Sequence, residues 1–346
     1  MYASLALAVG LPLPAAAITY TDANVALAFG EEFPSVGEIR IRADGSVTEG
    51  VCSGTLVAPT IVVSAEHCFR DDNNILTDSD PNTDPGETLY TVTIDFGDGR
   101  RTVDTINTAG NVSNQTPTSD TLLNGTDIAV LQLTMPVTDI APSTIFDGTL
   151  VEGDDNLAIV GFGRFGDDNG FDPLSQNPLD SQRRAAGNAF DLTGRAFGNI
   201  QNDILITDFD DFSILNNTNN NLSLGGGQRS SSSRFPLRGT VFGSVVDGFV
   251  EGNSAPGDSG GGVFVYLPDE DAFQIVAVVS GGQSPSGAGS QSFHTPFYFG
   301  DNRAFVDGFI AAAELNEIPL PASILMLGVG LISLSGMRAV SRPGRR

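Results

Sequence analysis

Three residues of the 346-residue chain, a serine, a histidine and an aspartate, lie in local patterns suited to catalysis. Ser259 lies in the glycine-rich segment GDSGGG, His67 follows the apolar run Ile61–Ser64, and Asp127 begins a second apolar run. A hydroxyl, an imidazole and a carboxylate suffice for nucleophilic catalysis, in which a base removes the proton of the attacking oxygen. The chain therefore holds the residue types for this chemistry, provided that its fold brings them together.

The neighbouring residues indicate how each of these side chains would be placed. A strand at Ile61–Ser64 would deliver His67 to a turn, and a base needs such fixed placement to reach the nucleophile. The glycines around Ser259 allow a tight turn, in which the backbone amides of Gly257 and Ser259 converge on one point. Asp127 opens a strand with alternate apolar residues, although an aspartate before a strand is by itself an ordinary turn residue.

Longer motifs around the same residues carry a resemblance to a known family. They are CSGTLVAP at 52–59, IVVSAEHC at 61–68, GTDIAVLQL at 125–133 and GDSGGGVF at 257–264. Together they resemble the trypsin/chymotrypsin family of serine proteases, whose members also carry the order His, Asp, Ser. Departures from the family pattern include Glu66, which replaces the usual alanine, and Gly262, which stands where proline is usual.

The resemblance implies a catalytic triad of His67, Asp127 and Ser259. Ser259 would attack a peptide carbonyl after His67 removes its proton, and Asp127 would orient His67. The amides of Gly257 and Ser259 would form the oxyanion hole that holds the negative charge of the intermediate. The implied activity is that of a secreted serine endopeptidase, which acts on proteins or peptides and needs no cofactor.

The resemblance also assigns a pocket for the substrate side chain. Its residues are Asn253, Ser254, Ser280, Gly281 and Gly282. Asn253 stands where trypsins carry the aspartate that selects arginine and lysine, so we expect a polar but uncharged pocket without a strong preference for basic side chains. We interpret the nearby His294 as a packing residue, in preference to a group that selects acidic side chains.

The distribution of apolar runs predicts an all-β fold. Short runs rich in Val, Ile, Leu, Phe and Thr recur between clusters of Gly, Asn, Asp and Ser, which is typical of antiparallel strands. The family resemblance implies two six-stranded antiparallel β-barrels with the triad at their junction. We assign residues 18–150 to the N-terminal barrel, with His67 and Asp127, and residues 151–312 to the C-terminal barrel, with Ser259.

The N-terminal end is interpreted as a targeting segment outside the fold. Residues 1–17 contain a short apolar run followed by three alanines, which predicts a signal peptide. Our hypothesis is that cleavage after Ala17 frees the amine of Ile18, and the family resemblance would pair this amine with Asp258.

The C-terminal end is a second targeting segment. Residues 316–346 contain the sequence PLPA, an apolar stretch to Met337 and four arginines near the terminus. The stretch is long enough for a transmembrane helix, and the arginines favour a cytoplasmic end. The segment resembles the PLPA variant of PEP-CTERM sorting signals, which implies processing by an exosortase and a secreted or envelope-attached protein of a Gram-negative bacterium. A plain membrane anchor is the alternative, and in both cases only this helix meets the membrane.

The two cysteines, Cys52 and Cys68, allow a disulfide, half of a metal site or two unrelated thiols. Export favours the disulfide. A metal site is poorly supported, because the chain has only two histidines and no CxxC motif. The acidic segment 71–87 offers oxygen ligands for calcium, but we interpret it as a solvated loop because it lacks EF-hand spacing.

The charge of the chain narrows the range of partners. The formal net charge is −25, and the 17 basic residues are all arginines. Such an acidic surface repels nucleic acid, so we expect no nucleic-acid partner. The rival to an enzyme is a catalytically inactive surface binding or adhesion protein on the same scaffold. The presence of all three triad residues favours the enzyme.

Overall fold

The structure is a computed structural model that describes thirteen segments of the chain. They are residues 18–20, 23–70, 90–108, 125–150, 156–166, 179–190, 192–193, 204–208, 240–241, 244–245, 252–282, 291–298 and 301–317. The predicted signal peptide at 1–17, the acidic segment 71–87 and the chain from residue 318 onwards lie outside these segments.

Six antiparallel strands of the N-terminal half close into a barrel. They are β2 (Val36–Ala43), β3 (Gly50–Ala58), β4 (Ile61–Ser64), β5 (Tyr90–Asp95), β6 (Arg100–Thr108) and β7 (Ala129–Leu133). Their order is β2-β3-β4-β7-β6-β5, and β5 closes the barrel by pairing with β2. This confirms the first of the two predicted six-stranded barrels.

The C-terminal half forms a second antiparallel sheet. Its strands are β8 (Asn156–Gly161), β10 (Arg184–Ala189), β11 (Leu192–Thr193), β12 (Leu205–Asp208), β16 (Gly262–Leu267), β17 (Ala272–Gly282) and β18 (Gln291–Pro296). Their order is β10-β8-β16-β17-β18-β12-β11. The prediction of six strands is met by the first six in this order, and the two-residue β11 adds a seventh at the edge beside β12. The mostly β, chymotrypsin-like architecture is confirmed.

A small third sheet joins the N-terminal residues to the C-terminal half. Its strands are β1 (Ile18–Tyr20), β9 (Phe165–Gly166) and β15 (Gly252–Asn253). The middle strand is β1, which runs antiparallel to β15 and parallel to β9. We predicted that residue 18 opens the N-terminal barrel, but β1 finds its hydrogen-bonding partners in the C-terminal half instead. A separate hairpin pairs β13 (Thr240–Val241) with β14 (Ser244–Val245).

Two helices accompany the sheets. Helix α1 (Ala23–Gly30) ends so close to the start of β10 that a Cβ on Gly30 would lie 2.5 Å from the carbonyl oxygen of Arg183. Helix α2 (Asn302–Glu317) packs Phe305, Val306 and Phe309 against the core between the two halves. Neither described helix has the length and apolarity needed to cross a membrane.

The strands at the junction of the two halves are buried on both faces, which explains their unbroken apolar runs. In β4, Ile61 and Val63 pack in a central cluster shared by both halves, whereas Val62 packs inside the N-terminal barrel. Strand β8 divides its side chains in the same way between the central cluster and the core of the second sheet. Successive side chains of a strand point to opposite faces, so one strand serves two cores.

Arg183, immediately before β10, connects the two halves. Its guanidinium donates to the carbonyl oxygens of Val36 at 2.8 Å, Phe96 at 2.6 Å and Pro34 at 3.4 Å, all in the N-terminal half. The guanidinium carbon also lies 5.4 Å from the ring centre of Phe162. Burial lowers the pKa of Arg183, but an arginine stays charged at neutral pH. This side chain therefore helps to fix the relative position of the halves.

We expect Arg183→Met to lower the free energy of unfolding by about 2–4 kcal/mol, because buried carbonyl groups lose their donor. Urea unfolding followed by circular dichroism measures the change. The matched control is Arg100→Met, which removes an exposed arginine 3.3 Å from Glu49 and should cost less than about 1 kcal/mol. Equal losses in the two variants would contradict a bridging role for Arg183.

Candidate active site

His67 lies in a short 3₁₀ turn, Glu66–Phe69, which begins just after the end of β4. The next residue, Cys68, forms a disulfide with Cys52 of β3, which confirms the predicted pairing. The turn is thus held by the end of one strand and by a covalent bond to the neighbouring strand. The His67 side chain remains 23% exposed, so solvent or a ligand can reach one edge of the ring.

Asp127 lies two residues before β7, at the same end of the barrel as His67. The antiparallel pairing of β4 with β7 sets Ser64 opposite Ala129, so the residues after Ser64 meet those before Ala129. Asp127 Oδ2 accepts a hydrogen bond from His67 Nδ1 at 2.8 Å, and Oδ1 accepts one from the His67 backbone N–H at 2.9 Å. One carboxylate therefore fixes both the ring and the backbone of His67.

The pKa of His67 is raised above its ordinary value of about 6.5. Burial by itself lowers this pKa, but the charge of Asp127 and its hydrogen bond to the ring together outweigh the burial. Because Nδ1 donates to Asp127, Nε2 is the basic atom of the neutral ring. The arrangement suits a general base oriented by a carboxylate.

The segment before Asp127 is held by Asn302, the first residue of α2. Its buried Nδ2 donates to the carbonyl oxygens of Gly125 at 2.8 Å and Pro296 at 2.9 Å. Gly125 has a φ of +77°, a backbone conformation that favours glycine. The C-terminal helix thereby helps to position Asp127.

Ser259 lies in the turn between β15 and β16, against the turn that carries His67. The Ser259 carbonyl oxygen accepts the Ser53 backbone N–H at 2.8 Å and lies 3.7 Å from Cys68 Sγ. The structure thus places Ser259 next to the turn that carries His67, and His67 is hydrogen-bonded to Asp127. Among the hydrogen bonds of the described residues, none joins the Ser259 hydroxyl to His67.

The backbone N–H groups of the nucleophile loop, residues 255–261, differ in whether they have a hydrogen-bond acceptor. The N–H groups of Asp258, Gly260 and Gly261 all donate to backbone carbonyl oxygens, at 3.0, 2.7 and 2.7 Å. Within the described residues, the N–H groups of Gly257 and Ser259 have no such acceptor. Both residues are partly exposed. The two amides predicted to form the oxyanion hole are therefore those that remain free to bind an oxygen.

Glu66, which replaces the usual alanine beside His67, is buried and forms an ion pair with Arg70. Its charge is therefore balanced within the segment that carries His67. The departure from the family pattern leaves the hydrogen bonds between His67 and Asp127 in place.

The residues predicted to bind the substrate side chain lie together beside the nucleophile loop. Ser254 Oγ lies 2.6 Å from Ser292 Oγ and 3.5 Å from the carbonyl oxygen of Gly281. Gly282 pairs with Ser292 across β17 and β18. Ser280 is engaged elsewhere, because its hydroxyl lies 2.6 Å from Thr295 Oγ1.

Asn253 and His294 are connected through the hydroxyl of Thr207. Thr207 Oγ1 donates to Asn253 Oδ1 at 3.1 Å, so His294 Nε2 must donate to Thr207 Oγ1 at 3.0 Å. All three side chains are fully buried, and burial lowers the pKa of His294 to about 3. A neutral ring of this kind fits a packing residue and does not supply a positive charge for acidic substrates.

The trypsin family matches residues 28–209, just over half of the chain. The chain belongs to the trypsin family. The match confirms the family resemblance; it includes His67 and Asp127 and ends before Ser259. No curated protein shows significant similarity to the chain.

In this trypsin-family protein, Asp258 beside the candidate nucleophile is fully buried. Its Oδ1 accepts the N–H of Gly163 at 2.7 Å, and its Oδ2 accepts the N–H of Ala255 at 2.8 Å. Burial raises the pKa of Asp258 to about 7, although these two amides and the charge of Arg184 act in the opposite direction. No ion pair reaches this carboxylate from the described residues.

The raised pKa of Asp258 predicts a pH dependence of stability. The unfolded chain releases this proton near pH 3.8 and the folded chain near pH 7. Asp258 therefore makes its full contribution to the free energy of unfolding below about pH 4. This contribution, on the order of 4 kcal/mol, is lost as the pH rises to 7.

Urea unfolding between pH 4 and 8 tests this dependence in the full chain, in which the Ile18 nitrogen is part of a peptide bond, with Ser259 replaced by alanine. Asp258→Asn should flatten the profile between pH 4 and 7. The control Asp44→Asn removes an exposed carboxylate and should leave the profile unchanged. A profile that is flat in the parent protein would contradict the assignment.

Three residues that support the site were not predicted from the sequence: Ser53, Arg183 and Asn302. Ser53 offered a signal, because it is one of two hydroxyl residues, with Thr55, in the buried part of a mostly apolar strand. Arg183 and Asn302 offered none, since both bind carbonyl groups that are distant in sequence.

Proposed function

We propose that this trypsin-family protein is a secreted serine endopeptidase with His67, Asp127 and Ser259 as its catalytic triad. The proposal depends on one arrangement. His67 makes two hydrogen bonds to Asp127, and the loop beside it has two amides, those of Gly257 and Ser259, that lack acceptors among the described residues. Membership of the trypsin family supports peptide-bond hydrolysis as the reaction.

In the first half of the proposed reaction, His67 Nε2 accepts the Ser259 hydroxyl proton while Oγ attacks the carbonyl carbon of the substrate. The carbonyl oxygen becomes an oxyanion, which the amides of Gly257 and Ser259 bind. His67 then donates its proton to the departing nitrogen as the C–N bond breaks, and the acyl group stays on Ser259. Asp127 stabilises the imidazolium that forms in between.

In the second half, a water molecule replaces the departed amine. His67 Nε2 takes a proton from this water, whose oxygen attacks the acyl carbon. The bond to Ser259 Oγ breaks, Oγ recovers the proton from His67, and the carboxylic acid product leaves. In every step, the protons and bonds are accounted for by His67, Ser259, the substrate and one water molecule.

For the substrate side chain we propose a pocket formed by Asn253, Ser254, Ser280, Gly281 and Gly282 that accepts uncharged residues. This proposal is supported by the hydrogen bonds and the lack of charge of the side chains around the pocket. Asn253 is bonded to Thr207, Ser254 lies against Ser292, and His294 carries no charge at neutral pH. None of these groups would compensate a buried charge on the substrate.

We further propose that cleavage after Ala17 creates an ammonium group at Ile18 that pairs with Asp258. The position of β1 supports this pairing. Ile18 is opposite Phe165, two residues after Gly163, and Thr19 is opposite Asn253, two residues before Ala255. Gly163 and Ala255 are the residues whose amides bind Asp258. N-terminal sequencing of the active protein should begin at Ile18, and another first residue would exclude this step.

We also propose that the protein is exported, on the basis of its disulfide and its two terminal segments. The Cys52–Cys68 disulfide supports an oxidising location, and residues 1–17 and 316–346 supply the proposed signal peptide and sorting tail. A bacterial envelope with exosortase processing is the location we propose. Cell fractionation of the full chain and of a chain shortened after Glu317, which keeps α2 whole, distinguishes an anchored protein from a released one.

The direct test of function is a fluorophosphonate probe, which forms a covalent bond with an activated serine. Peptide mapping should locate the label on Ser259, and Ser259→Ala should abolish it. Digestion of a peptide library by the secreted form should show cleavage without enrichment of Arg, Lys, Asp or Glu before the cleaved bond. A folded protein that neither takes the label nor cleaves peptides would instead be an inactive binding protein.

A further inference from the structure

Ser53 of β3 binds the nucleophile loop twice. Its backbone N–H donates to the carbonyl oxygen of Ser259 at 2.8 Å, and its Oγ donates to the carbonyl oxygen of Gly257 at 3.1 Å. Ser53 is fully buried, so water does not compete for these bonds. A single residue of the N-terminal barrel thus holds two residues of the C-terminal half.

The direction of the Ser53 hydroxyl is set by its other partner. Phe162 donates its backbone N–H to Ser53 Oγ at 3.0 Å. A serine hydroxyl has one proton, and this proton is directed to Gly257. On the opposite side of the residue, Ser64 Oγ donates to the Ser53 carbonyl oxygen at 2.7 Å. All polar groups of Ser53 that face the loop are therefore fixed.

The two residues held by Ser53 are those that carry the free amides. Gly257 and Ser259 each present a carbonyl oxygen to Ser53 and keep an N–H group without an acceptor in the described structure. Gly257 has a φ of +103° and lacks a side chain, so packing of its own side chain cannot hold it. Hydrogen bonds to its backbone must hold it instead.

The position of these amides matters because an oxyanion hole works by preorganisation. Its donors must lie within about 2.7–3.1 Å of the developing oxyanion before the reaction starts. A loop that can rotate at Gly257 would spend part of its time with this amide turned away. Fixing the Gly257 carbonyl restricts that rotation.

We propose that Ser53 is a positioning residue for the oxyanion hole of this protein. The proposal rests on the proposed protease function. Ser53 does not touch the substrate; its hydroxyl acts through Gly257, and its backbone N–H acts through Ser259. The structure therefore extends the catalytic assembly from the C-terminal half into strand β3.

The test compares two variants that lack the Ser53 hydroxyl: alanine keeps the Cβ atom, and glycine does not. Ser53→Ala and Ser53→Gly should each lower kcat by about 10–100-fold, less than the loss of a whole oxyanion donor, and leave KM within about twofold. A peptide aldehyde forms a tetrahedral adduct with the nucleophile, and its inhibition constant should weaken by a similar factor. The affinity for a product peptide should not change, because the product carries no tetrahedral oxyanion.

Two further variants separate positioning from folding. Ser53→Thr retains a hydroxyl and should retain kcat within about threefold. Ser35→Ala removes another buried serine hydroxyl, one that bonds only Ser143 among the described side chains, and should lower the thermal midpoint without lowering kcat. If one of the two hydroxyl-free Ser53 variants does not fold, the other carries the comparison.

The outcomes distinguish this inference from the proposed function. If the parent protein takes no fluorophosphonate label and cleaves no peptide, the protease proposal fails. If the parent is active and a folded hydroxyl-free Ser53 variant keeps its kcat and its affinity for the aldehyde, only the role of Ser53 is refuted.

Discussion

Ser259→Ala is expected to lower kcat by about a million-fold, the scale known for loss of the nucleophile in serine proteases. The methyl group cannot form the acyl intermediate, so His67 and the amides of Gly257 and Ser259 are left to act on a bound water. We expect KM to change little, because the pocket beside β17 does not depend on this hydroxyl. A fluorogenic peptide chosen from the library digestion measures both constants.

The control for this variant is Ser46→Ala, in the turn between β2 and β3, which should retain full activity. Circular dichroism should give Ser259→Ala the same thermal midpoint as the parent, since no hydrogen bond joins the Ser259 hydroxyl to His67 among the described residues. Cleavage by Ser259→Ala at more than about one thousandth of the parental rate would mean that another residue is the nucleophile.

Asp127→Asn is expected to lower kcat by roughly 10,000-fold, the loss known for this change in well-studied members of the family. The geometry gives the reason. The new amide side chain would keep an oxygen for the His67 backbone N–H, as Oδ1 does now at 2.9 Å, and would turn its NH₂ group towards Nδ1. Nδ1 would then have to accept, and the ring proton would move to Nε2, where it blocks the removal of the serine proton.

The pH profile distinguishes this effect from misfolding. Activity needs neutral His67, so kcat/KM of the parent should fall as the pH decreases through the raised pKa of His67. Asp127→Asn removes the charge that raises this pKa, so the residual activity should fall at a lower pH. Asp104→Asn, which removes an exposed carboxylate of the same barrel, should change neither kcat nor the profile.

Motifs predicted the family and the disulfide, because each motif is local. The segment around His67 contains the strand, the turn and one cysteine of the disulfide within a few residues, so its type and spacing carry most of the information. The apolar run of β4 was recognised for the same reason. Its burial on both faces, which needs a second core, became clear only from the structure.

Features that depend on distant partners were not predictable in this way. Strand β1 has three residues, and its pairing with β9 and β15 joins segments that are far apart in the sequence. Helix α2 has a pattern from which it could have been predicted, since Phe305, Phe309 and Ala313 recur every four residues and all contact the core. The seventh strand of the second sheet has only two residues, and no propensity specifies it.

The disulfide makes the covalent structure of the candidate site depend on the redox state of its surroundings. Cys52 precedes Ser53 and Cys68 follows His67, so the S–S bond links the residue that binds the nucleophile loop to the turn that carries His67. Such a bond does not persist where glutathione keeps thiols reduced. In a reducing compartment these two supports would therefore lack their covalent link, and an oxidising compartment would preserve it.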